Sequence, residues 1–408
     1  MPRNGCANCC PMWSGCWMKR PPEDRPPDEA GSVLRRPRAA PRLSPAVARL
    51  AVAVTVVAAG AAAAGAVPGV AQSVGSPLYM YAVTALLSIG LYSSAHGISR
   101  EVTKDLRTVV LAVTVGVLLK AVLIGGVMYL SWPRPESLLL GVAVAQIDPL
   151  SVAALIGSSR MSERAKNLLL AWASFDDPIT ALLTVYFSAM LLGGRGGVGA
   201  YLTTTWGNAL LAGVVLLGWA VARWAAARYD WPVLHDPPTR RITGVAVLLA
   251  ALVVAVQQFL VLGIALIGLF LRPGIERALG RVLSAAFLVA AFALGMLLPG
   301  GVEPVRGALL GVAAYAAQVV VGGLIPARGL TGVERVYLAL GQQNGITAIM
   351  LALALLPGVP DAVAMIAPAV LTVNLLHLIA NTLWERLDTA GQERMAERIT
   401  QVRVGAKR

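Results

Sequence analysis

The chain reads as an all-α membrane protein of about twelve transmembrane helices, built as two inverted halves with discontinuous fourth and eleventh spans. Three observations predict this. Of 408 residues, 57% are hydrophobic and only 13% charged, with a mean hydropathy of +0.70, more apolar surface than one soluble core can hide. Runs of roughly 20 apolar residues, the length that crosses a bilayer core, recur along almost the whole chain. Inside those runs a lysine and three aspartates fall in the third, fourth and fifth, and a row of three amides falls in the eleventh.

The net charge of +13 would suggest nucleic acid in a soluble protein. Here Lys and Arg sit in short loops and at both ends, where they mark orientation in a bilayer, and no nucleic-acid partner is expected. Residues 1–45 are rich in Pro, Arg and acidic residues and lack apolar periodicity, so they read as a disordered cytoplasmic tail. All four cysteines, Cys6, Cys9, Cys10 and Cys16, fall there. The Cys6–Cys9 spacing is half of a zinc site, but no second pair or histidine lies near, so free thiols on the reducing side are expected. The tail does not follow the basic, apolar and cleavage-site order of a signal peptide. A second cytoplasmic tail is expected at 387–408.

Hydropathy places spans near 47–68, 77–98, 108–130, 137–157, 167–192 and 203–227, then 283–299, 306–326, 334–357 and 361–384. Between the two series, 242–271 is long for one crossing and short for two, with Gln257 and Gln258 in its middle. Charge decides between these readings, because cytoplasmic loops carry the Lys and Arg excess. Arg100, Lys104 and Arg107 alternate with a loop holding only Arg134. Arg160, Arg164 and Lys166 then alternate with Arg195, and Arg223, Arg228, Arg240 and Arg241 follow. If 242–271 crosses twice as two short helices, Arg272, Arg277 and Arg281 return to the cytoplasm, as do Arg328, Arg335 and the basic end at Arg403, Lys407 and Arg408. That parity gives twelve crossings within 46–386 and two cytoplasmic termini.

An ionisable residue away from the ends of a span is a functional candidate, since its burial costs several kcal/mol without a partner or water. Asp148 lies mid-way along the fourth span in Gln146-Ile147-Asp148-Pro149, and Asp176 and Asp177 lie in the fifth in Ser174-Phe175-Asp176-Asp177-Pro178. Pro149 lacks an N–H and disfavours helix at Asp148, so the Ala145 carbonyl loses its partner. Freed backbone at that depth is tolerated only inside protein or beside a wet cavity. A break beside a carboxylate supplies oxygen ligands to a hard cation; a simple proline kink is the plainer reading. Asp176 and Asp177 project about 100° apart on a helix, so one can share a cavity with Asp148 while the other pairs elsewhere. Crowded carboxylates repel, so a proton and a metal ion compete for them.

The eleventh span carries Gly341-Gln342-Gln343-Asn344-Gly345 amid apolar residues. Two glycines around three amides read as an unwound segment, although any one amide can simply glue helices together. Broken helices at corresponding places of two inverted halves point to a transporter's binding site. His96, Asn208, Asn374 and His377 are polar and intramembrane too, and helix packing accounts for each.

Together these residues resemble the monovalent cation:proton antiporter superfamily, over the twelve spans and not the tail. In that family an acid-bearing break in the fourth span crosses a broken eleventh, and an Asp-Asp or Asn-Asp pair in the fifth binds the ion. Asp148 matches the acid of the fourth span, with Ile147 where a Thr is usual, and Asp176 and Asp177 match the pair. The resemblance implies a transporter and not an enzyme. It would exchange Na⁺, or K⁺ or Li⁺, for protons across the cytoplasmic membrane, as a homodimer without a cofactor. Asp177 and Asp148 would be transient cation ligands, with Ser174, Gln342, Gln343 and Asn344 in support. Spans within 108–192 and 306–384 would form the ion-carrying core, and the other spans the scaffold. An Asp-Asp pair goes in that family with electrogenic exchange and with a Lys or Arg in the tenth span paired to the first acid. Here Gln318 stands at that position, while Lys120, in the third span, is the inverted counterpart and is expected to compensate Asp176. A lysine snorkelling to the interface fits poorly, because about ten apolar residues flank it on each side.

No phosphate-binding glycine motif is visible. A sodium-coupled symporter of a small organic solute would carry similar acids, and an intramembrane aspartyl protease would share a proton between two of them. The Gly-x-Gly-Asp signature of such proteases is absent from the sequence.

Overall fold

The structure, a computed structural model, describes residues 45–66, 71–98, 112–149, 161–191, 197–229, 236–324, 330–342 and 344–387, with residues 69, 152, 156, 159, 391, 392, 394 and 395 besides. Both predicted tails and Gln343 therefore lie outside the described residues, apart from those last positions. Among the described residues every regular element is helical: α1 Pro45–Ala64, α2 Pro77–His96, α3 Val117–Ser131, α4 Pro135–Ala143, α5 Glu163–Leu191, α6 Gly197–Tyr229 and α7 Pro237–Gln258. There follow α8 Val261–Phe270, α9 Glu276–Leu297, α10 Pro304–Leu324, α11 Gly332–Ala339, α12 Ile346–Leu355 and α13 Ala362–Arg386. Eight of these regions are long and apolar enough to cross a membrane. The chain is an integral, multi-pass, all-α membrane protein.

Helix starts follow local chemistry. Pro stands in the first turn of α2, α4 and α7, where a missing N–H costs nothing. Ser76 caps α2 by accepting from Tyr79 N–H, and Thr331 and Glu334 form a reciprocal capping box on α11. The stretch 242–271 does divide, at Phe259, whose φ of 57° ends α7 in the left-handed region. The expectation of two short helices needs correction, however. Pro237 and Pro238 start α7 earlier than hydropathy suggested, giving 22 residues, or about 33 Å. Only α8, with 10 residues and about 15 Å, is short.

The side on which α8 ends is also visible. Arg272, just past α8, donates from Nη2 to Ile98 O at 2.7 Å, and Glu276 approaches His96 at 3.8 Å. The segment after α8 and the end of α2 thus share one end of the bundle.

Packing pairs the helices in two sets. On one side α1 lies along α9, and α2 along α8; on the other α3 lies along α4, and α10 along α13. Gly60 and Gly295 let the α1 and α9 backbones touch, since a Cβ at Gly60 would strike Phe292 O and one at Gly295 would strike Val57 O. The lipid supplies no hydrophobic drive between helices, so such close approach is what dispersion forces need. Replacing Gly295 with Val should therefore lower the thermal melting midpoint of the detergent-solubilised protein, at an overpacking cost of about 1–3 kcal/mol. Gly126→Ala, at a position with nothing within 4 Å of the added carbon, should leave the midpoint unchanged or raise it.

Candidate functional site

The fourth span is interrupted for longer than one proline requires. α4 stops at Ala143, and residues 145–148 have no helical assignment. Helical bonding restarts where Val152 N–H donates to Asp148 O at 3.1 Å, which puts the Asp148 carboxyl at a helix N-terminal end, a favourable place for negative charge. The eleventh span breaks between α11 and α12, so residues 341, 342, 344 and 345 are non-helical.

The two breaks satisfy each other. Gln342 donates from Nε2 to Gln146 O at 2.7 Å and to Asn344 Oδ1 at 2.7 Å. Asn344 donates from Nδ2 to Val144 O at 3.2 Å. The carbonyls freed from the first helix are thereby met by amide side chains of the second, as backbone at membrane depth demands. Gly345 lies so close to Asp148 that a Cβ there would strike its carboxyl. The glycine is needed for proximity.

Carbonyls of the eleventh span are met from α10 and α13. Gln318 donates from Nε2 to Leu338 O at 3.0 Å, and Asn374 from Nδ2 to Asn344 O at 2.7 Å. Leu340 O accepts from His377 Nδ1 at 2.9 Å and from Asn381 Nδ2 at 3.2 Å. A carbonyl only accepts, so His377 Nδ1 is the donor in that bond. Gln318, which stands at the expected basic position, thus serves the end of α11.

On α5 the two acids part company, as adjacent helical residues must. Both are fully buried, at 0% exposure. Asp176 Oδ2 accepts from Lys120 Nζ at 2.6 Å and from Ile147 N–H at 2.8 Å. Lys120 is likewise at 0% exposure, and its ammonium lies 5.4 Å from the Trp172 ring centroid, within cation–π range. Asp177 faces another way: its Oδ2 accepts from Ser94 Oγ at 2.6 Å and from Thr347 Oγ1 at 3.0 Å. Its Oδ1 has no hydrogen-bond partner among the described residues. Asp148 is near enough to act on it electrostatically. Pro178 follows at once inside α5, so the Ser174 carbonyl loses its helical donor beside the acids.

The structure therefore brings Asp148, Asp177 and the amides of the eleventh span to one place, and Asp176 with Lys120 to its flank. Ser174 stays apart: its buried Oγ makes no hydrogen bond among the described residues and faces the end of α2 at Gly97. Ser94 and Thr347 were missed in the sequence. Thr347 sits two residues after the second glycine of the broken segment, and Ser94 in a Ser-Ser pair near the end of an apolar span. Both are cues of oxygen donors at depth that are easily read as ordinary helix packing.

Carboxylates, hydroxyls and amide carbonyls converging inside a membrane suit a small hard cation, and carboxylates also take protons. The family model "Sodium/hydrogen exchanger, transmembrane" matches residues 40–384. The chain belongs to the sodium/hydrogen exchanger family. It is a secondary transporter that exchanges a cation for protons. Its fold is similar to that of the sodium proton antiporter MjNhaP1 from Methanocaldococcus jannaschii at pH 8, with a TM-score of 0.55 and 18% identity over 87% of this chain and 98% of that one. A 3D EM map of the same antiporter gives a TM-score of 0.50 and 18% identity over 83% and 96% of the two chains. No curated protein matches this exchanger.

Removing one partner of a buried ion pair leaves an uncompensated charge, a loss of about 3–5 kcal/mol. Lys120→Met should accordingly destabilise the exchanger strongly in thermal melting, and Lys120→Met with Asp176→Asn should recover most of the loss. Gly345→Ala should leave the folded yield close to normal while reducing exchange at least about tenfold, because the methyl displaces Asp148 from its place.

Proposed function

We propose that Asp177 and Asp148 form the site where the transported cation and the proton compete, with Na⁺ the favoured cation and Li⁺ and K⁺ the rivals. The observation that carries this reading is the state of the Asp177 carboxyl. It is fully buried, two hydroxyls occupy one oxygen, and the other has no hydrogen-bond partner among the described residues. A carboxylate in that setting needs a positive charge, and its donors are neutral. A proton or a monovalent cation supplies that charge, and each excludes the other. Carbonyl and amide oxygens around Asn344 would complete the cation's shell. Asp176 and Lys120 hold a fixed, mutually neutralising pair beside it, so the mobile charge resides on the other two acids.

The core comprises α3 to α5 and α10 to α13, spanning 108–192 and 306–384, with the fourth and eleventh spans crossing at their breaks. The remaining helices are the scaffold and the face of a homodimer. Movement of the core against the scaffold carries the loaded site from one side to the other. Twelve crossings with both tails cytoplasmic follow from loop charge, and the shared end of α2 and the segment after α8 supports that parity. That orientation would place the Lys- and Arg-rich loops on the cytoplasmic side of the inner membrane.

The test is exchange in proteoliposomes loaded with a pH-sensitive dye. Added Na⁺ or Li⁺ should dissipate an imposed pH gradient, with K⁺ weaker, and Asp177→Asn should give no cation response at any pH. Asp148→Asn should keep some exchange with a KM raised by roughly tenfold or more, as expected for losing one charged ligand. A wild-type protein silent to all three cations, or an Asp177→Asn protein that exchanges normally, would overturn the assignment.

A further inference from the structure

Helix α2 is fastened to the scaffold on one side and touches the core on the other. Towards α8 and its end, Tyr92 donates from its hydroxyl to Leu271 O at 3.0 Å, and Ile98 O accepts from Arg272. A Cβ at Gly268 would meet Tyr92 O at 2.9 Å, so the two backbones lie against each other. Towards the core, α2 presents Gly90, Ser94 and Gly97, positions that share one helix face. Gly90 meets Met350 of α12, with the thioether sulfur 3.3 Å from where its Cβ would stand. Gly97 meets Ser174 of α5, whose Oγ would lie 3.8 Å away. Between them Ser94 donates to Asp177 at 2.6 Å. The seam is shallow, made of small residues, and bridged at the acid itself.

The two hydroxyls on Asp177 Oδ2 differ in kind. Thr347 starts α12 and belongs with Asp177 to the proposed core, so it travels with the acid. Ser94 belongs to α2 and does not. Two donors fill both lone pairs of Oδ2, leaving Oδ1 for the first contact with cargo. A cation held by both oxygens must displace one hydroxyl, and the one on the stationary helix is the one that core movement has to release.

We propose that Ser94 is a positioning residue that ties the ion-binding carboxyl to the scaffold and links loading of Asp177 to release of the core. This rests on the reading that Asp177 is the ion site and that α2 is scaffold. Ser94 has a second effect through its O–H. A donor to a carboxylate favours the charged form that cations bind, so it helps cation against proton.

The test uses the full-length exchanger in proteoliposomes, with Na⁺ and H⁺ as the probes. Ser94→Ala should raise the KM for Na⁺ at neutral pH by roughly three- to tenfold, the scale of losing one hydrogen bond to a charged group. Its activity should shift toward alkaline pH, while the maximal rate at saturating Na⁺ and high pH is kept or increased. Ser94→Thr, which retains the hydroxyl, should restore the wild-type pH profile. A merely structural Ser94 would lower the rate and the melting midpoint without moving the pH profile.

Should Ser94→Ala fold poorly, the seam is tested elsewhere. Gly90→Cys with Met350→Cys, in a chain whose tail cysteines are serine, can be bridged by a short bis-methanethiosulfonate reagent, each cysteine thiolate displacing methanesulfinate to form a disulfide that reductant cleaves. Bridging should arrest exchange and reduction should restore it. Unchanged KM and pH profile in Ser94→Ala, or full exchange in the bridged protein, overturns the proposal while Asp177→Asn remains inactive. Exchange by Asp177→Asn would instead remove the site reading on which the proposal stands.

Discussion

Asp176 Oδ2 accepts the Lys120 ammonium and the Ile147 amide together, and the interruption of the fourth span depends on that oxygen. Lipid offers nothing to an amide stripped of its helical partner, and an ammonium alone at that depth is equally unwelcome. One carboxylate meets both needs, and it ties α3, α5 and the break into a unit. A desolvated pair of this kind adds little net stability. Its value lies in geometry, since it fixes where Ile147 and hence Asp148 must stand.

The second break is supported differently, and the asymmetry is chemical. Its carbonyls are met by amides and an imidazole from α10 and α13, with Asn374, His377 and Asn381 along α13. Gln318 on α10 feeds a helix end, whereas Lys120 on α3 feeds an acid. The charged pair therefore stands at the first break, and neutral groups hold the second. Two charged pairs would double the desolvation cost for the same positional gain.

Much of this was legible in the sequence because membranes impose coarse, one-dimensional rules. Apolar length marked the spans, and acids and amides at depth marked the place where helices fail. Asp148, Asp176, Asp177 and Lys120 stood out because charge in lipid is rare. The extent of the first break was not legible: Pro149 accounts for a kink, while the unwound run from residue 145 exists because Asp176, Gln342 and Asn344 supply partners from afar. The start of α7 was hidden because Arg240 and Arg241 depress hydropathy where Pro237 nevertheless begins a helix. Ser94 and Thr347 were hidden for a related reason. A hydroxyl can bond to its own helix, as Thr184 does to Thr180 O, so only three-dimensional proximity separates a ligand from a passenger.

If Asp177 is the ion site, as proposed above, the charges around it would make transport a coupled exchange and not a leak. Asp176 is answered by Lys120, so that ion pair adds no net charge beside it. Among the described residues Asp177 is answered by two hydroxyls, which stabilise a carboxylate but do not neutralise it. Sliding an ionised, cargo-free Asp177 away from Ser94 along α2 would then expose a naked charge to a low-dielectric seam, at a cost of several kcal/mol. Carrying a cation or a proton removes that cost. On that proposal the empty core would be the form that moves least, and each passage would carry one kind of cargo or the other.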